Sequence, residues 1–135
     1  MNYKIIDIEG IGQVYASKLA AAGVKTTNDL LDKCATPKGR KEMEEATGIG
    51  HELILKWANH ADLMRVKGVA GQFAELLEAA GVDTVKELRN RKADNLQAKM
   101  ATINEQKKLV RRVPVVSEVE RMIAYANELE PVMKY

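Results

Sequence analysis

The chain has 135 residues, 46% of them apolar and 30% charged, with 21 basic and 19 acidic side chains giving a net charge of +2. That length predicts one compact domain burying roughly two-thirds of its foldable surface, and the composition excludes a disordered chain. No apolar run of about 18 residues offers a membrane span, the early charges are unlike a secretory signal, and the lone Cys34 forbids an intrachain disulfide or a cysteine-based zinc site, so the expected compartment is the cytoplasm.

Taken in chain order, the predicted elements are helical. Tyr3–Ile8 is a candidate short extended piece. Gln13–Ala22 is alanine- and leucine-rich and stops at Gly23, placed where a left-handed residue ends a helix. Thr26-x-x-Asp29 reads as a loose capping box, and Thr36-Pro37 as an N-cap followed by proline in the first turn. The next helix carries Leu53, Trp57, Ala61 and Met64 on one face and is expected to run unbroken across the middle of the chain. Gly71–Ala80 stops at Gly81, and Thr84-x-x-Glu87 is a second capping box. Thr102-x-x-Glu105 and Ser117-x-x-Glu120 carry the same signal. Val119, Met122, Ile123, Ala126 and Leu129 recur at helical spacing, and Pro131 ends that last helix.

An internal repeat organises these elements. Ile8–Val24 recurs as Val66–Val82 at an offset of 58, with Gly10 matching Gly68, Tyr15 matching Phe73 and Gly23 matching Gly81. Thr47–Leu63 aligns more loosely with Val113–Leu129 at an offset of 66. The expected organisation is a single domain over 1–135 built from two pseudo-repeats, 1–65 and 66–135, the second with a basic insertion near 90–112. From Lys86 to Arg112 nine basic residues face three acidic ones, a local charge of +6 that leaves −4 for the rest.

Each half places glycine turns before helices: Gly10-Ile11-Gly12, Gly48-Ile49-Gly50 and Gly68-Val69-Ala70-Gly71. The fourth equivalent, Pro114-Val115-Val116-Ser117, has lost both glycines. A turn this short needs positive φ, which glycine supplies at least cost. The apolar residue between the glycines plugs the core. The helix that follows offers free amides and its positive dipole end to a phosphate. This is the pattern of helix-hairpin-helix motifs, and the expected fold is all-α, with tandem helix-hairpin-helix (SAM-like) repeats packed as one globule.

The run Glu9-Gly10-Ile11-Gly12 with Ala22-Gly23-Val24, Thr36-Pro37-Lys38-Gly39-Arg40, Ala46-Thr47-Gly48-Ile49, Trp57-Ala58-Asn59 and Ala61–Arg65 resembles a bacterial and archaeal family of unknown function. Lys107–Pro114 and the ending Pro131–Tyr135 extend the resemblance over nearly the whole chain. It implies a fold and no activity. More broadly the chain is similar to the tandem helix-hairpin-helix domains of DNA repair and recombination proteins. That similarity implies phosphate-facing roles for Gly10, Gly12, Gly48, Gly50, Gly68 and Gly71. Glu9, Ala70 and the glycine-free fourth turn depart from the pattern.

Lys107, Lys108, Arg111 and Arg112 fall at i, i+1, i+4 and i+5, predicting one basic helix face that a phosphate backbone would meet. Lys38, Arg40 and Lys41 precede Glu42, Glu44 and Glu45, and i,i+4 pairing such as Lys41 with Glu45 accounts for them. His51 and His60 lack zinc spacing and read as surface or capping histidines, while Cys34, Trp57, Phe73 and Tyr15 read as packing residues. Tyr125 and Tyr135 are candidates for a subunit contact. No nucleophile elbow, phosphate loop or zinc-protease motif is present, so no enzyme, metal, cofactor or small-molecule substrate is expected. The expected function is sequence-independent binding of duplex DNA. The alternative is a protein-interaction or assembly module that keeps the scaffold without DNA.

Overall fold

The computed structural model describes residues 2–135, and those residues form eight α-helices and no β-strand. The first half contains α1 (Gln13–Ala21), α2 (Thr27–Cys34), α3 (Pro37–Thr47) and α4 (His51–Leu63). The second half contains α5 (Gly71–Ala79), α6 (Val85–Arg89), α7 (Ala93–Lys107) and α8 (Val116–Glu128). A 3-10 turn at Ile5–Asp7 occupies the expected extended piece, of which only an isolated bridge between Lys4 and Thr26 remains.

Helix ends follow local chemistry closely. Gly23 and Gly81 have φ of 86° and 90°. Val24 N–H bonds Leu19 O and Gly23 N–H bonds Ala20 O; Val82 and Gly81 repeat this on Leu77 and Glu78. Both helices thus end in Schellman motifs that satisfy carbonyls otherwise orphaned. Thr26 Oγ1 accepts from Asp29 N–H while the Asp29 carboxylate accepts from Thr26 N–H, a complete capping box. An additional N–H from Lys25 holds the Asp29 carboxyl below its usual range. Thr84 Oγ1 accepts from Glu87 N–H, but Glu87 reaches back to Asp83 instead of Thr84.

Two predicted caps are overturned. Thr102 lies inside α7 and its hydroxyl donates to Ala98 O, because α7 runs on to Lys107. α8 begins at Val116 rather than after Ser117, and it is Glu118 that accepts from the N–H of the N-cap residue Val115.

One hydrophobic cluster draws on both halves, from Ile8 and Leu19 through Trp57 and Met64 to Leu88 and Ala126. α4 is its axis: it packs on α2, α3 and α5, and its C-terminal half is buried all round. Instead of crossing the middle of the chain, α4 stops at Leu63, and a turn over Met64–Gly68 leads into α5. Arg65 N–H and Val66 N–H bond back to Asp62 O and Leu63 O to make that turn. Trp57 stacks edge-on to Tyr15, with ring centroids 5.0 Å apart, and fixes α1 against α4. Tyr15 and Phe73 are half-buried against the core.

Cys34 is fully buried, and burial pushes its thiol up to about 11. The neutral thiol is the form the fold favours. Its stabilising contribution is complete below the ordinary value of 9.0 and is lost as pH rises toward about 11. A thiol reagent at pH 8 is therefore expected to label the native protein only at the unfolding rate, and at once in denaturant. Fast labelling without denaturant would contradict this packing.

Candidate nucleic-acid interface

Three glycine turns have the backbone that glycine exists to supply. φ is 92° at Gly10, 72° at Gly48 and 92° at Gly68. Gly10 sits over the α4 side chain Trp57, and Gly68 over the α8 side chain Met122: a Cβ at either would lie 3.6 or 3.8 Å from that side chain. Ile11, Ile49 and Val69, the apolar residues inside the turns, are all buried. The turn is plugged from below while its glycines stay exposed.

The helices that follow these turns carry no side-chain cap, as is also true of α7 after Lys92, whereas three others are closed by threonine. α1, α4 and α5 start from Gly12, Gly50 and Ala70 with no side chain accepting from their first amides. α2, α3 and α6 are capped by Thr26, Thr36 and Thr84. No atom comes within 4 Å of a Cβ built on Gly12, Gly48 or Gly50, so the approach to the amides of α1 and α4 is open. These uncapped amides carry the dipole's positive end and remain available to an anion.

Gly71 does not belong with them. It is buried, and a Cβ there would lie 2.2 Å from Asp7 O and 3.5 Å from Glu9 N. Its missing side chain is explained by the first residue of α5 abutting the chain that leads into the first turn. Gln13 holds the same place in the first half with an exposed side chain. The contact brings the first turn and the start of α5 together.

The predicted basic helix face is not formed. α7 ends at Lys107, and Lys108 takes a left-handed conformation with φ 50° and ψ 47°. Asn104 then brackets the loop, accepting from Val110 N–H at 3.0 Å and donating to Val110 O at 2.9 Å. Lys107, Lys108 and Arg111 are exposed on a turning segment. Arg112 is held by both oxygens of Glu118, at 2.7 and 3.3 Å, which raises the guanidinium and lowers the carboxyl from their ordinary values.

Charge is uneven around the turns. A groove beside the first holds Lys4 and Lys25 together with Gln13 and Ser17 of α1, while Glu9 is exposed just before Gly10. The groove at Gly48 and Gly50 holds Lys41 but also Glu44 and Glu45. Among the described residues no group of His, Cys, Asp and Glu has the arrangement to hold a metal ion. No helix there is long and apolar enough to cross a membrane.

Several polar residues that shape this surface carried no signal in the sequence. Arg40 is only 2% exposed, and its guanidinium donates to Cys34 O, Ala35 O and Lys134 O, with Tyr135 stacked on it at 5.6 Å. The last residues therefore lie across the first half, where the Tyr135 hydroxyl also donates to Asn59 at 2.7 Å. His51 is exposed as expected, at the first position of α4. His60 is instead fully buried at the α4–α5 contact, its Nε2 2.8 Å from Glu78. Lys134, which covers Arg40, and Glu78, which meets His60, lie 94 and 18 residues away, beyond the reach of any local pattern.

No curated protein and no solved structure matches the chain. A family model does match, over residues 9–129, which take in the glycine turns and all eight helices, and by that match the chain belongs to the DUF4332 family, a domain of unknown function.

Proposed function

We propose that this protein is a small non-enzymatic module that grips the phosphate backbone of duplex DNA without reading its sequence. The glycine turns act as helix-hairpin-helix motifs, arranged in two related halves as in the DNA-binding domains of repair proteins. The observation that carries the reading is the contrast in capping. α1 and α4 begin at open glycines with their first amides unclaimed, whereas threonine closes α2, α3 and α6. Amides so presented hold phosphate oxygens and touch no base edge, so binding would be sequence-independent. The added positive charge comes from the exposed Lys107, Lys108 and Arg111 at and beyond the end of α7 and from Lys4 and Lys25 beside α1. Among the glycines, Gly10, Gly12, Gly48 and Gly50 keep the phosphate-facing role, Gly68 lines a groove that also holds Glu118 and Glu128, and Gly71 is assigned to packing.

Gly12→Asp separates function from stability. An aspartate at that N-cap accepts from the amides of α1 and suits the dipole, so the fold is expected to be unchanged or slightly more stable, by a few tenths of a kcal/mol. The same carboxylate occupies and repels the phosphate position, and DNA affinity is expected to fall by about tenfold or more, roughly 1.4 kcal/mol. Equal DNA affinity in a stable Gly12→Asp protein would remove the first turn from the interface.

A second reading is favoured by Glu9 beside the first turn and Glu44 and Glu45 beside the second. Carboxylates there oppose a polyanion and suit a basic protein partner. On that reading the chain is an interaction or assembly module that keeps the scaffold. A protein that ignores duplex DNA at low salt would favour it.

A further inference from the structure

A groove of about 490 Å³ runs between the Gly68 turn and α8. Its floor is Met122, Ala124 and Tyr125, and charges of both signs stand around it: Lys67 and Arg121 against Glu118 and Glu128. Glu118 is already held by Arg112. Lys67, Arg121 and Glu128 make no ion pair within 4 Å among the described residues. The two carboxylates oppose a polyanion in this groove, and its free charges of both signs suit a surface that carries both signs itself.

α8 is such a surface. Arg121 and Glu128 are seven residues apart on it, two turns or about 10.5 Å. Their midpoint falls at Ala124 and Tyr125. In a two-fold pair each surface meets its own copy, so a cation gains a partner where an anion lies at the mirrored distance from the axis. Two copies of α8 running antiparallel about a point between Ala124 and Tyr125 meet that condition for Arg121 and Glu128. Arg121 then faces Glu128 of the partner subunit, and the reverse pair forms on the other side of the axis. Ala124 is exposed and small, which lets two helices approach to about 8–10 Å. Tyr125 and Met122 are half-buried and offer apolar area beside the axis, and Val115 and Val116 are exposed at the start of the same helix.

We propose that the α8 groove is a homodimer interface, with a second copy of this chain as its occupant. This proposal is independent of the DNA reading.

The test is sedimentation equilibrium on the full chain over about 1–100 µM, for the wild type, Arg121→Glu, Glu128→Arg and the double exchange, with helicity checked by circular dichroism. The wild type is expected to dimerise in that range. Each single change sets like charges opposite one another and should weaken the dimer by about tenfold or more. The double exchange should restore it. A second readout comes from Ala124→Cys, which should form a disulfide-linked dimer on mild oxidation, because the two copies of this residue flank the axis and Cys34 is buried. A wild type that stays monomeric at 100 µM, a dimer indifferent to either single change, or one the double exchange fails to restore would overturn the proposal.

Discussion

Asp62→Ala is expected to destabilise the protein by about 3 kcal/mol or more, a loss large enough to lower Tm by roughly 10 °C or more. Asp62 is 1% exposed at the C-terminal end of α4. One carboxylate oxygen accepts from Val85 N–H at 2.9 Å and anchors the first turn of α6. The other accepts from Arg65 Nη1 at 2.7 Å, and Arg65 Nη2 donates to Glu130 O. One side chain thus ties α4, the central turn, α6 and the segment after α8. Alanine leaves a buried N–H and a half-buried guanidinium without their acceptor, and those orphaned groups cost more than the intact pair contributes. Asp62→Asn keeps an oxygen for Val85 and gives up the charge opposite Arg65, so it should cost about half as much. Thermal and urea unfolding of the two variants checks this. Equal, small losses for both would contradict the role assigned to Asp62.

The second large effect is expected at Gly71. Its α-carbon lies against the backbone before the first turn, and the 2.2 Å from a built Cβ to Asp7 O leaves no room for a methyl group. The obstructing atom is a backbone carbonyl, so relief requires moving the 3-10 turn or the start of α5. Gly71→Ala should therefore cost about 2–3 kcal/mol, even though alanine is the better helix former by about 1 kcal/mol. Gly12→Asp, at an open glycine before α1, should cost nothing. Urea midpoints of the two variants provide the comparison. A Gly71→Ala protein as stable as the wild type would return Gly71 to the group of phosphate-facing glycines.

What the sequence made legible is what local chemistry decides. Gly23 and Gly81 end helices because a left-handed residue is required there, and Thr26, Thr36 and Thr84 begin them because a hydroxyl can reach the third amide. The positive φ of Gly10, Gly48 and Gly68 belongs to the same class. The misread positions are those where a distant partner or a competing local bond decides. Four cations at helical spacing predict a shared face, but Asn104 bonds both polar groups of Val110 and Lys108 turns the chain away. Thr102 carries a cap signature inside α7, where its hydroxyl bonds the preceding turn instead. Gly71 resembles a turn glycine until Asp7, 64 positions earlier, is seen against it. Arg40 looked like one of a surface cluster of cations, and it is buried because the chain's last residues return to cover it.

The glycine turns remain the centre of the account. Open amides at α1 and α4, with Lys4 and Lys25 beside α1, suit a charged backbone rather than base edges. Such a contact releases counterions, so its affinity must depend steeply on salt. The most direct measurement is fluorescence anisotropy of a labelled DNA duplex titrated with the protein, at 50 mM and again at about 200 mM salt. Micromolar binding is expected at the lower salt, with a loss of at least about tenfold at the higher and little difference between duplexes of unrelated sequence. No binding at 50 mM salt would rule out a grip on the phosphate backbone by these turns.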